Sequence, residues 1–487
     1  MPAPLICLAV TEKSLARGLE TVERYRRCID LVELRADALS EDELSSLGRF
    51  PSLIRLPVIL TVRRRRDHGG FGGDEAGRRR LLWAAGAGFA YVDLEEDLRD
   101  GSLEAYLRSR GVRIIRSLHD FEGLPGDLAQ RVRRLPHRGD EIPKAAVRPT
   151  GCRDFLALLH CARELKDLEE KVLIGMGPEG VPTRVLAARL GSSICFTGAP
   201  GAESAPGQLD PATLTELYRF SRITESTRLF GVIGNPIAHS RSPEIHNRGY
   251  AGLNLDMVYL PFLVHDPEAF FALAAELDIR GFSVTLPHKQ AVLPLLDEAE
   301  EAVLQVGACN TVVRRKGGWR GSNTDVEGFL GPLRPHLGRA GRKDLTAAVI
   351  GAGGAARAVV YALGTLGIRP LILNRHPERA AALAEAFGCP SGGLDAAGRK
   401  LLAEHNGLIV QATSAGMAPR EAEDPLPEYA FQGGEIVYDL VYAPPRTCFL
   451  ARAAAAGCRV IYGYQMLQAQ AEAQFRLFTG EALPPED

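Results

Sequence analysis

The chain has no CxxC pair. Its nine cysteines are scattered through 487 residues, and Cys7, Cys195 and Cys309 sit in apolar, strand-like runs. That is the pattern of reduced thiols, and it argues against a disulfide framework and a zinc site. Nor is there an excess of charge of one sign: the formal net charge is −2, which speaks against a general nucleic-acid binder. The arginine clusters Arg63 to Arg66 and Arg78 to Arg80 are local and read for the most part as solvated side chains around a loop. No apolar run approaches the ~20 residues of a membrane span, and the opening "MPAPLICLAV" lacks a basic leader followed by a long apolar region. These absences predict a soluble, cytoplasmic protein with no metal, no nucleic acid and no membrane among its partners.

What is present is length and a repeating pattern. The chain has room for two or three domains of roughly 100 to 200 residues. In the first half, apolar runs of strand length recur as "PLICLAV", "DLVELRAD", "PVILTVR", "AYVDLEED", "VRIIRSLHD", "EIPKAAVR", "KVLIGMG" and "SSICFTG". Between most of them lie segments with helical spacing, such as "LARGLETVERYRRCI" and "DFLALLHCAREL". Eight strands with intervening helices in about 220 residues fit a (β/α)8 barrel, whose active site lies at the C-terminal ends of its strands. Those ends are polar. Glu33 and Arg35 are two apart and share a strand face, as do Thr61 and Arg63. His119 ends the fifth strand and Lys144 lies on the sixth. Adjacent strands are ~4.8 Å apart, so both side chains can reach one ligand. On its own Lys144 reads as a solvated surface amine; beside His119 and arginines at other strand ends it reads as a nucleophile.

The motifs "VELRAD", "RSLHDF", "EIPKAAV", "GVPTRVLA" and "ESAPGQL", in this order and spacing, resemble the type I 3-dehydroquinate dehydratases of the shikimate pathway over residues 1–221. The resemblance implies that Lys144 forms an imine with the substrate ketone and that His119 is general base and acid. It also implies that Arg184 holds the substrate carboxylate, helped by Glu33, Arg35, Arg63, Ser204 and Gln208. A protonated imine accepts the electrons released at a neighbouring C–H far more readily than a ketone does. Burial and nearby arginines favour the neutral amine that must attack first, and an imidazole can shuttle the proton. One departure stands out. The family has Glu-Gly-Gly after the third-strand arginine, with the glutamate partnering the histidine; here "RRRRDHGG" puts His68 at that place and Asp67 one residue earlier. Asp67 is the expected substitute carboxylate, with His68 as the alternative.

After a helix expected around Pro211 to Phe220 comes a short polar linker, residues 222–228, and then "LFGVIGNPIAHSRSP". Further on, "LTAAVIGAGGAARAVVYAL" is a strand, a glycine turn and a helix in which Gly351, Gly353 and Ala356 match GxGxxA, a dinucleotide-binding turn. The next strand ends in Asn374 and Arg375, where an NAD site usually has an acid; arginine suits a 2′-phosphate and predicts NADP. With "NPIAHSRSP", "FSVTLPHK", "GACNTV", "GSNTD", "QATSAGM", "YDLVYAP" and "GYQMLQAQA", the second half resembles shikimate dehydrogenase. That implies a substrate-binding lobe over 229–335, completed by a C-terminal helix over about 463–487, and a Rossmann NADP-binding lobe over 336–462. By the same resemblance Lys289 and Asp325 are the catalytic pair, and Ser240, Ser242, Thr285, Asn310, Tyr442 and Gln470 bind substrate. Gly351, Ala352, Gly353, Gly354, Ala355, Asn374, Arg375, Thr413, Ser414 and Gly463 hold the cofactor. Two small departures are "NRH" for the commoner "NRT" and Ser283 in "SVT" for "NVT".

Together the halves resemble the bifunctional 3-dehydroquinate dehydratase/shikimate dehydrogenases. The expected class is α/β, a TIM barrel followed by a two-lobed unit. It uses NADPH and no metal on 3-dehydroquinate, 3-dehydroshikimate and shikimate, as monomer or homodimer. The absence of a transit peptide makes the cytoplasm the expected compartment. The alternatives are quinate dehydrogenase activity in the second half and a non-catalytic quinate-sensing regulator; retention of Lys144, His119, Lys289 and Asp325 weighs against the regulator.

Overall fold

In the computed structural model, which describes residues 3–136, 139–337 and 345–485, the eight apolar runs of the first half are eight strands. They are β1 Leu5–Val10, β2 Leu31–Arg35, β3 Val58–Thr61, β4 Tyr91–Glu95, β5 Arg113–Asp120, β6 Glu141–Val147, β7 Val172–Gly175 and β8 Ile194–Gly198. The runs are continuous rather than alternating because helices cover the outer face while side chains fill the inside, so both faces are dry. The strands are parallel in the order β7-β6-β5-β4-β3-β2-β1-β8. Cys7, Leu31, Ile59, Ile115, Ile142, Val172, Ile194 and Phe196 form one core cluster among them.

The barrel is nearly closed. Between β7 and β8 side-chain and single backbone bonds stand in for a ladder: Ser192 Oγ accepts from Leu173 N–H and donates to Leu173 C=O, and Ser193 N–H donates to Lys171 C=O. The outer helices start where polar caps allow. Ser14 accepts from Arg17 N–H before the helix Leu15–Tyr25, and Asp100 accepts from two backbone N–H groups before Gly101–Ser109. The helix expected around Pro211 to Phe220 is a shorter, wider π-type turn, Thr213–Leu217.

By contacts the chain divides into two units. The first holds the chain up to Leu229 with Pro236–Tyr250 and Asn254–Asp278; the second holds Phe230–Asn235, Ala251–Leu253 and the chain from Ile279. The strands β9 Arg228–Gly234 and β10 Met257–Leu263 follow the barrel. Within the first unit the helix Pro267–Glu276 packs on the barrel helix Cys152–Glu164. Arg163 and Glu276 form an ion pair there, and the Arg189 guanidinium donates to the carbonyls of Thr227 and Leu277.

The second unit has two sheets. One runs β9-β11-β13-β14-β12, with β11 Ile279–Val284, β12 Glu298–Ala299, β13 Thr311–Arg315 and β14 Gly318–Ser322. The other has β15 Ala347–Ile350, β16 Leu371–Leu373, β17 Ser391–Gly392, β18 Leu408–Gln411, β19 Ile436–Asp439 and β20 Arg459–Ile461. These six are parallel in the order β17-β16-β15-β18-β19-β20. That is the doubly wound 3-2-1-4-5-6 arrangement, with the ligand crevice at the C-terminal end of its first strand. The expected start of this lobe at 336 is followed by residues 338–344, which lie outside the described residues. The C-terminal helix is Gly463–Thr479, shorter than the expected span to 487. Gly480 takes a left-handed φ of 84° and stops it, and the last two positions of that span lie outside the described residues. No helix among the described residues is long and apolar enough to cross a membrane.

Candidate active sites

Strand register assembles the first site. β5 pairs with β6 so that Ser117 stands opposite Lys144, and β4 pairs with β5 so that Glu95 stands opposite Ser117. One pocket is lined by Glu33, Arg35, Arg63, His119, Lys144, Arg184, Ser204 and Gln208, together with Asp67, His68, Phe121 and Phe196. Every residue expected in the first site therefore lines the same cavity. Lys144 is 5% exposed, which removes the solvated-amine reading. Its Nζ donates to Asp93 Oδ2 at 2.9 Å and lies 3.9 Å from the centre of the Phe196 ring.

A dense charge network supports this arrangement. Arg63 donates to Asp93 Oδ1 and Glu95 Oε1, each at 2.9 Å, and to Ser117 Oγ at 3.3 Å. The fully buried Arg78 pairs with Glu95 and donates to Val62 C=O. Glu33 accepts from Thr61 Oγ1, and Arg35 grips Asp37 with two bonds. Arg63 and Arg78 are thus interior residues, while Arg65, Arg66, Arg79 and Arg80 are exposed as the loop reading expected. Burial works against a charge on Asp93, yet Arg63, Lys144 and His119 hold its pKa well below the usual carboxylate range. Burial, then the charges of Arg63 and Lys144, push His119 well below its usual value. At neutral pH the imidazole is therefore neutral and able to accept a proton.

Arg184 differs from the other arginines. It is 3% exposed and donates to the carbonyls of Phe196 (3.0 Å) and Pro206 (3.3 Å); among the described residues it has no carboxylate partner and its Nε has no acceptor. Burial pulls it down to about 10. An uncompensated buried cation facing a pocket is a seat for an anion. Ser204 and Gln208 are tied to each other at the rim, with Gln208 Nε2 donating to Ser204 Oγ at 3.0 Å. Asp67 does not bond His119: its Oδ2 accepts from Arg64 Nε at 2.5 Å. His68 sits in a left-handed turn with its ring 3.9 Å from that of Phe121, which in turn stacks 6.0 Å from His119. Residue 68 therefore reaches the histidine's surroundings through an aromatic contact, where the family's glutamate offers an acid.

In the second unit, Lys289 Nζ donates to Asp325 Oδ2 at 2.5 Å, and Asn310 Nδ2 donates to Asp325 Oδ1 at 2.8 Å. The Asn310 carbonyl oxygen accepts from Thr311 Oγ1 and from Thr324 N–H. Asn310 thus orients Asp325, alongside the substrate contact that the sequence reading expects of it. Thr285 opens the turn that carries Lys289, its N–H bonded to Ile233 C=O and its own carbonyl to His288 N–H. Gln470 packs against Gly328, where a Cβ would come within 2.6 Å of it. Tyr442 follows Val441, whose carbonyl fits only because residue 463 is glycine: a Cβ there would lie 2.4 Å from it. Ser240 and Ser242 lie in the segment grouped with the first unit, Ser242 as first residue of the helix Ser242–Gly252.

The glycine turn fits a dinucleotide. Gly351 has a φ of 125°, and a Cβ on it would strike Ala412 C=O at 2.7 Å. Gly353 precedes the helix Gly354–Thr365 and has open space where a Cβ would stand. With Ala352 and Ala355 beside them, these residues leave the helix N-terminus free for a pyrophosphate. A Cβ on Gly354 would lie 3.3 Å from Lys289 Cδ, so the turn adjoins the Lys289–Asp325 pair. Asn374 caps the β16 turn through His376 N–H, and Arg375 is exposed with no acid against it among the described residues. Thr413 Oγ1 donates to Gln411 Oε1 and accepts from Ala415 N–H, and Ser414 Oγ accepts from Arg420.

The sequence reading passed over Asp93, Glu95 and Ser117. The signal was there: "DLE", on a run already read as a strand, has the same two-residue spacing as "ELR" on β2 and "TVR" on β3–loop.

Comparison with known proteins follows the same division. Residues 6–225 match the family model for type I 3-dehydroquinase, and residues 232–312 match the shikimate dehydrogenase substrate binding domain. The chain is 32% identical over 503 aligned residues to a chloroplastic bifunctional 3-dehydroquinate dehydratase/shikimate dehydrogenase of Arabidopsis thaliana, covering 99% of this chain and 83% of that protein. It is 43% identical to an NADP(+) shikimate dehydrogenase of Moorella thermoacetica over 54% of this chain and 92% of that one. A solved shikimate dehydrogenase in complex with NADP+ is 33% identical, with a TM-score of 0.50, over 54% of this chain and 93% of that one.

Proposed function

The chain belongs to the bifunctional 3-dehydroquinate dehydratase/shikimate dehydrogenase family, and from that membership we propose which of its residues carry each reaction. It is a hydro-lyase and an oxidoreductase in one chain, taking 3-dehydroquinate to 3-dehydroshikimate and that product to shikimate. Residues 1–221 carry the first reaction and the chain from 229 the second. The observation that supports this most strongly is the convergence of Lys144, His119 and the unpaired Arg184 on one pocket.

Arg184 takes the substrate carboxylate, replacing its missing partner. Lys144, which starts as the ammonium paired with Asp93, passes two protons by way of His119 to the ketone oxygen as its Nζ attacks the ketone carbon; the C–O bond breaks, that oxygen leaves as water, and an imine that keeps one N–H and the positive charge remains. His119, neutral at rest, takes the α-proton, and the electrons of that C–H bond flow toward the imine nitrogen. The electrons return to expel the β-hydroxyl, which leaves as water with the proton from His119. Hydrolysis of the imine frees the enone and restores Lys144.

In the second reaction NADPH, when bound, supplies the hydride. Gly351, Gly353 and the following helix N-terminus would hold its pyrophosphate, and Arg375 its 2′-phosphate. Lys289 donates a proton to the carbonyl oxygen as negative charge builds there, and Asp325 keeps its ammonium aimed. Asn310 in turn holds Asp325. Incubation with 3-dehydroquinate and NADPH, with products resolved by chromatography, tests the whole reading. Shikimate is the expected product. Accumulated 3-dehydroshikimate would sink the second assignment, and unconsumed substrate the first.

A further inference from the structure

We propose that Asp93 is a catalytic residue of the dehydratase site: the fixed counterion that keeps the Lys144 imine protonated while the α C–H bond breaks. The inference rests on the reading of Lys144 as imine former and goes beyond it by naming the group that holds the electron sink in its charged state.

The geometry divides the two carboxylate oxygens between two jobs. Oδ1 accepts from Arg63 Nη2 at 2.9 Å and from Ser117 Oγ at 2.5 Å, donors on the neighbouring strands or just beyond them. These bonds lock the carboxylate. Oδ2 is left to Lys144 Nζ at 2.9 Å. On another side of that nitrogen lies the Phe196 ring face, 3.9 Å away, which also favours positive charge. Asp93 has no exposed side-chain surface, so its charge acts through a dry interior and not through water.

This surrounding is poor for a free amine and good for a cation. A site built only to make Lys144 nucleophilic would not face its nitrogen with a carboxylate and an aromatic ring. The iminium keeps the nitrogen, the positive charge and one N–H, and that N–H inherits the bond to Oδ2. Complementarity to the protonated imine in preference to the neutral imine keeps the electron sink in the form that C–H cleavage needs. Asp93 is also unfit to take the proton away, because, against the pull of burial, Arg63 and Lys144 hold it ionised. The other charged or titratable groups around the pair are Glu33 on β2, Arg63 after β3, Glu95 on β4, His119 on β5 and Cys7 on β1. Glu33 accepts from Thr61, and Glu95 from Arg63 and Arg78. Within this set Asp93 is the carboxylate hydrogen-bonded to the nitrogen.

Cyanoborohydride reduces iminium ions and spares neutral imines, so it reports the protonation state directly. With wild-type protein and 3-dehydroquinate, adduct at Lys144 should form at a constant rate between about pH 6 and about pH 9. In Asp93→Asn the adduct should still form at about pH 6 but fall away on the alkaline side. Dehydratase kcat should drop about 10²-fold, with its alkaline limb moved to lower pH, while shikimate dehydrogenase activity is kept. Ser117→Ala, which leaves the carboxylate in place, should hold the wild-type pH profile. Wild-type trapping that falls away across that range overturns the counterion role whether or not the variant folds, as does an Asp93→Asn enzyme with an unshifted limb. Adduct on any residue other than Lys144 would instead overturn the imine assignment itself.

Discussion

Replacing Arg184 with methionine should make the empty protein more stable and the dehydratase nearly useless. Burial brings the Arg184 guanidinium from 12.5 to about 10, and at 1.36 kcal/mol per tenfold step that is about 3 kcal/mol spent on keeping a lone charge in the interior. Methionine fills similar space without the charge. Against the gain stand two lost hydrogen bonds, to Phe196 C=O and Pro206 C=O, at about 1 kcal/mol each. Pro206 C=O keeps the Gly177 N–H, which softens that loss. The balance is a stabilisation of about 1 kcal/mol in urea unfolding of the ligand-free protein. Binding should move the other way. A carboxylate that meets no cation in a buried site loses 3 to 5 kcal/mol, so KM for 3-dehydroquinate should rise by at least about 10²-fold. Product at a hundred times its Kd should stabilise wild type by about 2.7 kcal/mol and leave Arg184→Met unmoved. A variant that is less stable when empty and still protected by 3-dehydroshikimate would refute the claim that this charge exists for the ligand.

Four further outcomes follow from the geometry. Because His119 titrates well below its usual value, the acid limb of dehydratase kcat/KM should lie below pH 6.5, and a limb at or above that value would contradict the neutral-base role. Asp325→Asn should lower shikimate dehydrogenase kcat by about 10² to 10⁴-fold, with dehydratase turnover and KM for NADPH unchanged; kinetics of the two half-reactions on one sample decide it. Arg375→Ala should raise KM for NADPH by about tenfold or more and leave NADH alone, since tenfold corresponds to about 1.4 kcal/mol, a reasonable worth for one charge-assisted phosphate contact; equal losses would remove Arg375 from the 2′-phosphate site. Burial raises Asp439 from 3.8 to about 7, so between those values the folded state holds a proton that the unfolded chain has shed, and stability falls as pH climbs through that window. Asp439→Asn, which can keep the bonds to Val441 N–H and Thr447 Oγ1, should match wild type near pH 4 and exceed it above pH 7 by up to about 4 kcal/mol; unfolding curves that differ equally at both pH values would refute this.

The barrel strands were legible because a sheet covered on both faces needs apolar residues at every position, and such runs stand out against their helices. The glycine turn was legible because close backbone approach at a helix N-terminus demands glycine, and residue 351 has both the φ and the crowding that exclude a side chain. What was hidden depended on distant partners. Asp93 stands among the acids of "DLEED", and nothing local says that it faces Lys144, 51 residues later. Arg63 and Arg78 share clusters with exposed arginines and are set apart by burial against the acids of β4, Asp93 and Glu95. For Asn310 the sequence points to a substrate contact, and only the fold reveals that its amide also meets Thr311, Thr324 and Asp325. The β7–β8 seam was invisible for the same reason: whether a ladder forms there depends on the register accumulated around seven other strands.

The two lysines carry the sharpest consequence of that distinction. Each has an aspartate oxygen on its nitrogen, Asp93 for Lys144 and Asp325 for Lys289, so the pair itself does not determine the chemistry. The surroundings do. Lys144 is sealed under Phe196 with neutral His119 lining the same pocket, so a carbon bonded to its nitrogen has a base at hand and the nitrogen's charge has nowhere to go but into bond-breaking. Lys289 is more open, its side chain 18% exposed, and stands against the Gly354 turn, which on the proposed reading holds the nucleotide. There the ammonium's useful property is a proton it can release. A covalent role for Lys289 would require a base for the α-proton, and the pair Asp325 and Asn310 is already closed on itself. On the proposed assignment the same amine serves as an electron sink in one half and a proton donor in the other, and the difference lies in the second neighbour of each nitrogen, not in the first.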